Sequence, residues 1–133
     1  MEQNSLYQRG REIMLKLTNS DHPDTPTHQQ ISDDLNRLAP GLDNIIVEFA
    51  FGKIYTREGL DLKQRAMITM SSLATLGTEV QFELHVNAAL TFGVGSKQII
   101  ETIVHLIPYI GFPRVLNALK IIKRVFEQRK VAY

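Results

Sequence analysis

The sequence of 133 residues contains no cysteine and no tryptophan. Without thiols there is no disulfide, no thiolate nucleophile, no thiol redox relay and no Cys-ligated metal. An excess of one charge is also lacking. Fifteen Lys and Arg stand against fourteen Asp and Glu, a formal net charge of +1, so no global field draws the chain to nucleic acid or an anionic membrane. Long apolar runs are absent. The strongest, 45–51 and 103–112, fall short of the ~20 residues that span a bilayer, and the second is interrupted by His105 and Pro108. The stretch Met1 to Leu17 alternates charged and apolar residues without a signal-peptide core, so the expected location is cytoplasmic. There is no HExxH, no GxGxxG, no P-loop and no GxSxG elbow. No metal is expected, and a serine hydrolase is disfavoured.

What is present is helical periodicity. The length and the 44% hydrophobic content suit one domain around one hydrophobic core. Leu6, Gly10, Ile13 and Leu17 share the face of a first helix. Asn19 to Thr27, with Pro23 and Pro26, reads as a loop, and His22 and His28 in or beside it read as solvated. A second helix is predicted over Thr27–Leu38 with Ile31, Leu35 and Leu38 inward, stopping at Pro40-Gly41. A third runs from an Asp43 N-cap towards Ile54, with Leu42, Ile45, Ile46, Phe49 and Ile54 available for burial. Asp61 caps a fourth helix that Gly77 ends. Thr78 and Gln81 fit a capping box for a fifth, ended by Gly93. Ser96 caps a sixth, and Pro113 opens a last helix running to about Lys130. No strand pattern appears. The expectation is a single all-α domain over 1–133, a bundle of six or seven helices.

Candidate chemistry is sparse. His85 sits at the edge of the apolar face marked by Phe82, Val86 and Ala89, beside Ala88 and Phe92. A part-buried imidazole there suits general acid/base work, and the same position suits a packed, hydrogen-bonded core-edge histidine. Glu48 interrupts the apolar run 45–51. Either it points outward, which the period favours, or it enters a pocket that raises its pKa. Arg65 can anchor a carboxylate through two parallel hydrogen bonds, lie exposed, or pair with Asp61 four residues earlier. His105 lies roughly opposite Ile99, Ile100, Ile103, Val104 and Ile107, towards solvent or another subunit. Lys120, Lys123, Arg124, Arg129 and Lys130 make the last helix basic, as its dipole and outer face favour.

The order of motifs carries a resemblance. Leu38-Ala39-Pro40-Gly41-Leu42 is followed by Glu48-Phe49-Ala50-Phe51-Gly52-Lys53-Ile54-Tyr55, then by Gly59-Leu60-Asp61-Leu62-Lys63-Gln64-Arg65 and Leu73-Ala74-Thr75-Leu76-Gly77. His85 with Ala88-Ala89-Leu90 comes next, and the segment from Pro108 to Leu119 closes the series. In this order the segment 38–126 resembles the carboxymuconolactone decarboxylase family, with 1–37 forming N-terminal helices and a loop, and Tyr7-Gln8-Arg9-Gly10 is similar to the family's opening.

The resemblance implies an all-helical homo-oligomer, commonly a hexamer. The activity it implies is that of a carbon–carbon lyase of aromatic compound catabolism. The family's reaction turns 4-carboxymuconolactone into the enol-lactone of β-ketoadipate with loss of carbon dioxide and uses no cofactor. On this reading His85 and Glu48 are catalytic, while Arg65, His105 and Tyr109 bind a small carboxylate or lactone substrate. The alternative is a non-catalytic paralogue that binds a small acid or acts in assembly. The superfamily also holds thiol peroxidases resembling alkyl hydroperoxide reductase D. With His85 aligned, their Cys-x-x-Cys pair falls on Thr78 and Gln81 and their Glu on Ala66, so peroxidase activity is not expected here.

Overall fold

The structure is a computed structural model that describes residues 2–18 and 28–133. The segment 19–27, expected as a loop and containing His22, lies outside the described residues, as does the His28 side chain. Among the described residues the chain is all-helical and strand-free. It comprises α1 (Glu2–Thr18), α2 (His28–Leu38), α3 (Leu42–Asn44) continuing into a π-helix (Ile45–Ile54), α4 (Leu62–Leu76), α5 (Glu79–Phe92), α6 (Ser96–Val104), α7 (Ile107–Ile110) and α8 (Phe112–Arg129). With α3 and the π-helix taken as one and α7 as a single turn, these are seven helices. No helix among them is long and apolar enough to cross a membrane.

The helix ends follow side-chain chemistry, with some exchanges of partner. Asp61 caps α4 as expected. Its carboxylate accepts from Gln64 N at 2.8 Å, and Gln64 Oε1 accepts from Asp61 N at 2.9 Å. Gly77 (φ 74°) and Gly93 (φ 105°) end α4 and α5 in the left-handed region. A Cβ at Gly77 would also displace the Arg114 guanidinium lying over the turn. Thr78, however, forms no capping box. Its Oγ1 donates to Leu73 O at 3.2 Å, serving a terminal carbonyl of α4 rather than an N–H of α5. Ser96 is not a cap either: Gly95 holds that place, Gln98 Oε1 accepts from Gly95 N, and Ser96 Oγ donates to Ala132 O.

Asp43 also departs from the predicted cap. Gly41 is the N-cap of α3, and Asn36 Oδ1 accepts from the backbone N–H groups of Gly41 and Asp43. The Asp43 carboxylate is thereby free to join three elements, accepting from Tyr7 Oη at 2.6 Å and from Ser32 Oγ at 2.7 Å. Ser32 is 1% exposed, so α2 turns this hydroxyl inward, while Leu35 and Leu38, expected inside, lie at the surface, Leu38 at 84%.

The interior divides in two, where one core was expected. The main cluster joins Met70 and Ala74 of α4, Phe82, Val86 and Ala89 of α5, Ile99 and Ile103 of α6, and six residues of α8 from Val115 to Phe126. A satellite cluster of Met14, Val47 and Phe51 lies where α1 packs on the π-helix. The helix α5 stands between, packed on α4, α8 and α1, with Leu84 and Ala88 buried outside the main cluster.

The π-helix explains the largest difference from the sequence expectation. Its hydrogen bonds run from residue i+5 back to i, as in Tyr55 N to Ala50 O at 3.0 Å, giving about 4.4 residues per turn. At that period Val47, Phe51 and Tyr55 share the inward face, whereas Ile45, Phe49 and Ile54 share the opposite one and are exposed. Ile45 and Phe49 lie opposite Val47 at either period, and their expected burial comes from taking the stripe of Leu42, Ile45, Ile46 and Phe49 as the inward one. The wide turn changes Ile54, which a 3.6 period would bring round to the Val47 side. Close contact with α1 accompanies the wide turn. A Cβ on Gly10 would intrude on the Val47 carbonyl and reach 3.0 Å from Gly52 N, and one on Gly52 would stand 3.1 Å from Leu6 O. Two glycines let the backbones of α1 and the π-helix touch.

Two outcomes follow. Gly10→Ala is expected to cost about 2 kcal/mol or more, since backbone rather than a flexible side chain must give way, as measured by urea unfolding. The hydrogen bond to Asp43, with burial and the adjacent negative charge, raises the Tyr7 pKa from near 10 to about 12. The phenol is favoured neutral in the fold, so its contribution is intact below pH 10 and is lost as pH rises from 10 to 12. Stability curves of the native chain are expected to fall across that window, and those of Tyr7→Phe to fall less.

Candidate functional site

The site begins with the α4–α5 hairpin. Lys63 Nζ lies close to Gly93, so the start of α4 stands beside the end of α5. In this antiparallel register His85 is level with about residue 70, and Arg65 sits five or six residues away, roughly 8 Å along the axes.

His85 is half-buried. At 100° per residue it falls with Gln81 and Phe92 on a stripe of α5 between the face of Phe82, Val86 and Ala89 and the side of Leu84 and Ala88. The opposite flank of α5 is polar and committed to α8. Glu83 pairs with Arg124 at 3.1 Å, Arg129 donates to Asn87 Oδ1 and to Thr91 Oγ1, and Asn87 is 2% exposed. Arg124 and Arg129 of α8 thus find partners on α5, and Lys123 on Glu127 of its own helix.

Arg65 is the electrostatic anomaly. Its Nη2 donates to the backbone carbonyl of Arg57 at 3.0 Å, while its Nε is buried and has no hydrogen-bond partner among the described residues. No carboxylate among the described residues pairs with it; Asp61, a possible partner from the sequence, serves the helix cap instead. A buried donor on a charged group costs roughly 1–3 kcal/mol or more when unmet, and native structures rarely leave one without reason.

Around Arg65 the structure gathers residues that sequence reasoning missed. Thr69 Oγ1 donates to Arg65 O at 2.9 Å and lies 2.8 Å from Tyr55 Oη. The Tyr55 ring stacks on Phe51 with centroids 5.0 Å apart. The signals were weak: Tyr55 was visible only as the end of a motif, and Thr69 as an ordinary helix residue.

The other candidates lie apart. Glu48 is half-buried on the flank of the π-helix, between its inward and outward faces, and among the described residues it makes no hydrogen bond or ion pair, with His85 or any other. His105 and Tyr109 come together, ring centroids 5.6 Å apart, but at the surface, with Tyr109 74% exposed. A cleft between the end of α4, the start of α5 and α8 has about 40 Å³ of free interior, little more than a water's share, and holds none of the five candidates.

Comparison with known proteins places this geometry. The sequence pattern of the carboxymuconolactone decarboxylase family matches residues 40–124, well over half of the chain. The chain belongs to the carboxymuconolactone decarboxylase family. The match runs from the Pro40-Gly41 turn through the π-helix and the α4–α5 hairpin into α8, so His85, Arg65 and Glu48 all lie within the family segment. A 4-carboxymuconolactone decarboxylase of Acinetobacter baylyi is 26% identical over 132 residues, covering 99% of this chain and 95% of that protein. An uncharacterized 15.0 kDa protein of Paracoccus denitrificans is 32% identical over 71% of this chain and 72% of its own. A nitrosuccinic acid decarboxylase of Metarhizium robertsii is 32% identical over 60% of this chain and 55% of its own. Family membership and the decarboxylase names among these relatives support a decarboxylase-like, lyase-type function.

The unmet Arg65 yields a prediction on stability. Arg65→Met keeps the stem that packs on α4 and removes the buried charge. It is expected to leave unfolding free energy within about 1 kcal/mol of the native value or to raise it, read from chemical denaturation, although the residue is half-buried and hydrogen-bonded.

Proposed function

We propose that this chain is a cofactor-free carbon–carbon lyase that removes carbon dioxide from a small carboxylated lactone, with 4-carboxymuconolactone as its substrate and the β-ketoadipate enol-lactone as its product. The observation that carries the reading is the buried Nε of Arg65, which has no hydrogen-bond partner among the described residues, one hairpin away from the half-buried His85. Similarity to a named decarboxylase over 99% of the chain supports it.

The chemistry assigns roles. Arg65 holds a substrate carboxylate and sets the ring's orientation. As the bond from the departing carboxyl group to the ring breaks, its electron pair moves into the unsaturated lactone and carbon dioxide leaves. His85, as imidazolium, gives its proton to the ring carbon that gains the electrons. Glu48, which is not bonded to His85, passes a proton from solvent towards the imidazole between turnovers by way of water. His105 and Tyr109 contact the substrate's outer end, in reach only if a neighbouring subunit brings them there. The protein acts as a homo-oligomer in the cytoplasm, and the outward apolar residues of the π-helix are consistent with such contacts.

A second substrate class is favoured by one relative. Nitrosuccinic acid is by name a nitro-substituted dicarboxylic acid, and a nitro group, like an unsaturated lactone, accepts the electron pair released with carbon dioxide. The shared demand is a small carboxylate whose adjacent group is an electron sink.

Loss of 4-carboxymuconolactone, followed by ultraviolet absorbance, tests the reading. Purified protein is expected to accelerate it, and His85→Ala to lower kcat roughly 100-fold or more. A native rate equal to the spontaneous one would sink the named reaction, and a fully active His85→Ala would remove His85 from its role.

A further inference from the structure

We infer that Tyr55 is a positioning residue for Arg65, acting through Thr69, and that the segment 55–57 holds both ends of Arg65 for a planar carboxylate. The inference rests on the reading of Arg65 as the carboxylate anchor.

Proton bookkeeping fixes the direction of the contacts. The Thr69 hydroxyl has one proton, and its geometry commits that proton to Arg65 O at 2.9 Å. In the 2.8 Å contact between Tyr55 and Thr69 the phenol is then the donor. A directed chain results, from Tyr55 O–H to Thr69 Oγ1 and from Thr69 O–H to the Arg65 carbonyl. Its root is rigid: the Tyr55 ring stacks on Phe51, which is 4% exposed in the satellite cluster against α1.

The other end of Arg65 returns to the same segment. Nη2 donates to Arg57 O, two residues beyond Tyr55, and Arg57 N is tied back to Ile54 O at 3.1 Å. One short segment therefore fixes the backbone of Arg65 through Tyr55 and its guanidinium through Arg57. The Arg57 carbonyl takes one proton of Nη2 and leaves the remaining Nη protons for a ligand. Preset guanidinium geometry is what two-point carboxylate recognition requires, and small displacements weaken it. Without the phenol hydroxyl, the Arg57 carbonyl is the one polar link left from the segment 55–57 to Arg65 among the described residues, and the guanidinium is held at one end instead of two.

Tyr55→Phe removes the hydroxyl and keeps the ring on Phe51. The probe is maleate, a planar dicarboxylate, titrated calorimetrically into the full chain. The native protein is expected to bind it and Arg65→Lys to lose binding. Tyr55→Phe should bind roughly fivefold to tenfold more weakly, with an unchanged circular dichroism spectrum. Thr69→Ser, which keeps the hydroxyl relay, should bind like the native chain, and Thr69→Val like Tyr55→Phe. With 4-carboxymuconolactone as substrate, Tyr55→Phe should raise KM by the same factor and leave kcat within about twofold. Equal maleate affinity for Tyr55→Phe and the native chain overturns the inference, as does native protein that fails to bind maleate or Arg65→Lys that binds it normally. Maleate binding that depends on Arg65 and Tyr55 in a chain without turnover upholds the inference while removing the decarboxylase reading.

Discussion

The contact between α1 and the π-helix is the constraint from which much of the rest follows. Backbone approach at Gly10 and Gly52 brings Met14, Val47 and Phe51 together as a second apolar cluster. Packing of α1 against α5 from the other side makes α5 interior over most of its circumference. A helix so enclosed can place a titratable side chain between two packed regions without exposing it fully, and His85 occupies that position. The polar junction of Tyr7, Ser32 and Asp43 closes the same corner, converting a carboxylate inside the chain into a hub for three helices.

Stability and chemistry separate at Arg65. Elsewhere polar groups find partners within the chain: Arg124 with Glu83, Arg129 with Asn87 and Thr91, Asp61 with Gln64. Arg65 alone among the described residues keeps a buried donor unmet, and it does so on the first turns of a well-capped helix whose geometry is otherwise settled. Such a deficit is what a ligand of opposite charge relieves, and membership of a family that includes named decarboxylases gives that ligand a chemical character.

Most of the architecture was legible in the sequence because its punctuation is strong. Asp61, Gly77, Gly93 and Pro113 mark helix ends by backbone chemistry that tertiary contacts leave unaltered. Where the reading failed, a tertiary contact had taken over a local one. The Asp43 carboxylate looks like a cap until Tyr7 and Ser32, distant in sequence, claim it. Ile45 and Phe49 look buried because they share an apolar stripe with Leu42 and Ile46, but the side packed on α1 is that of Val47 and Phe51, and no window of sequence displays which side a distant helix covers. At the candidate site, His85 and Arg65 were visible as isolated residues. The relay through Tyr55 and Thr69 was not, since its members are joined by a fold that brings positions fourteen residues apart into contact.

The wide turns of the π-helix also give the segment 45–54 an unusual relation to chain length. A π-turn holds one more residue than an α-turn over nearly the same arc. Deleting a single residue there restores an ordinary helical repeat and needs no new fold locally. The cost appears downstream, because every side chain beyond the deletion is rotated by about 100° relative to those before it. Phe51 would leave the satellite cluster and Tyr55 would turn away from Thr69. The extra residue acts as a phase setting: it fixes where the chain enters the following turn, and through that the angle at which the guanidinium of Arg65 is presented.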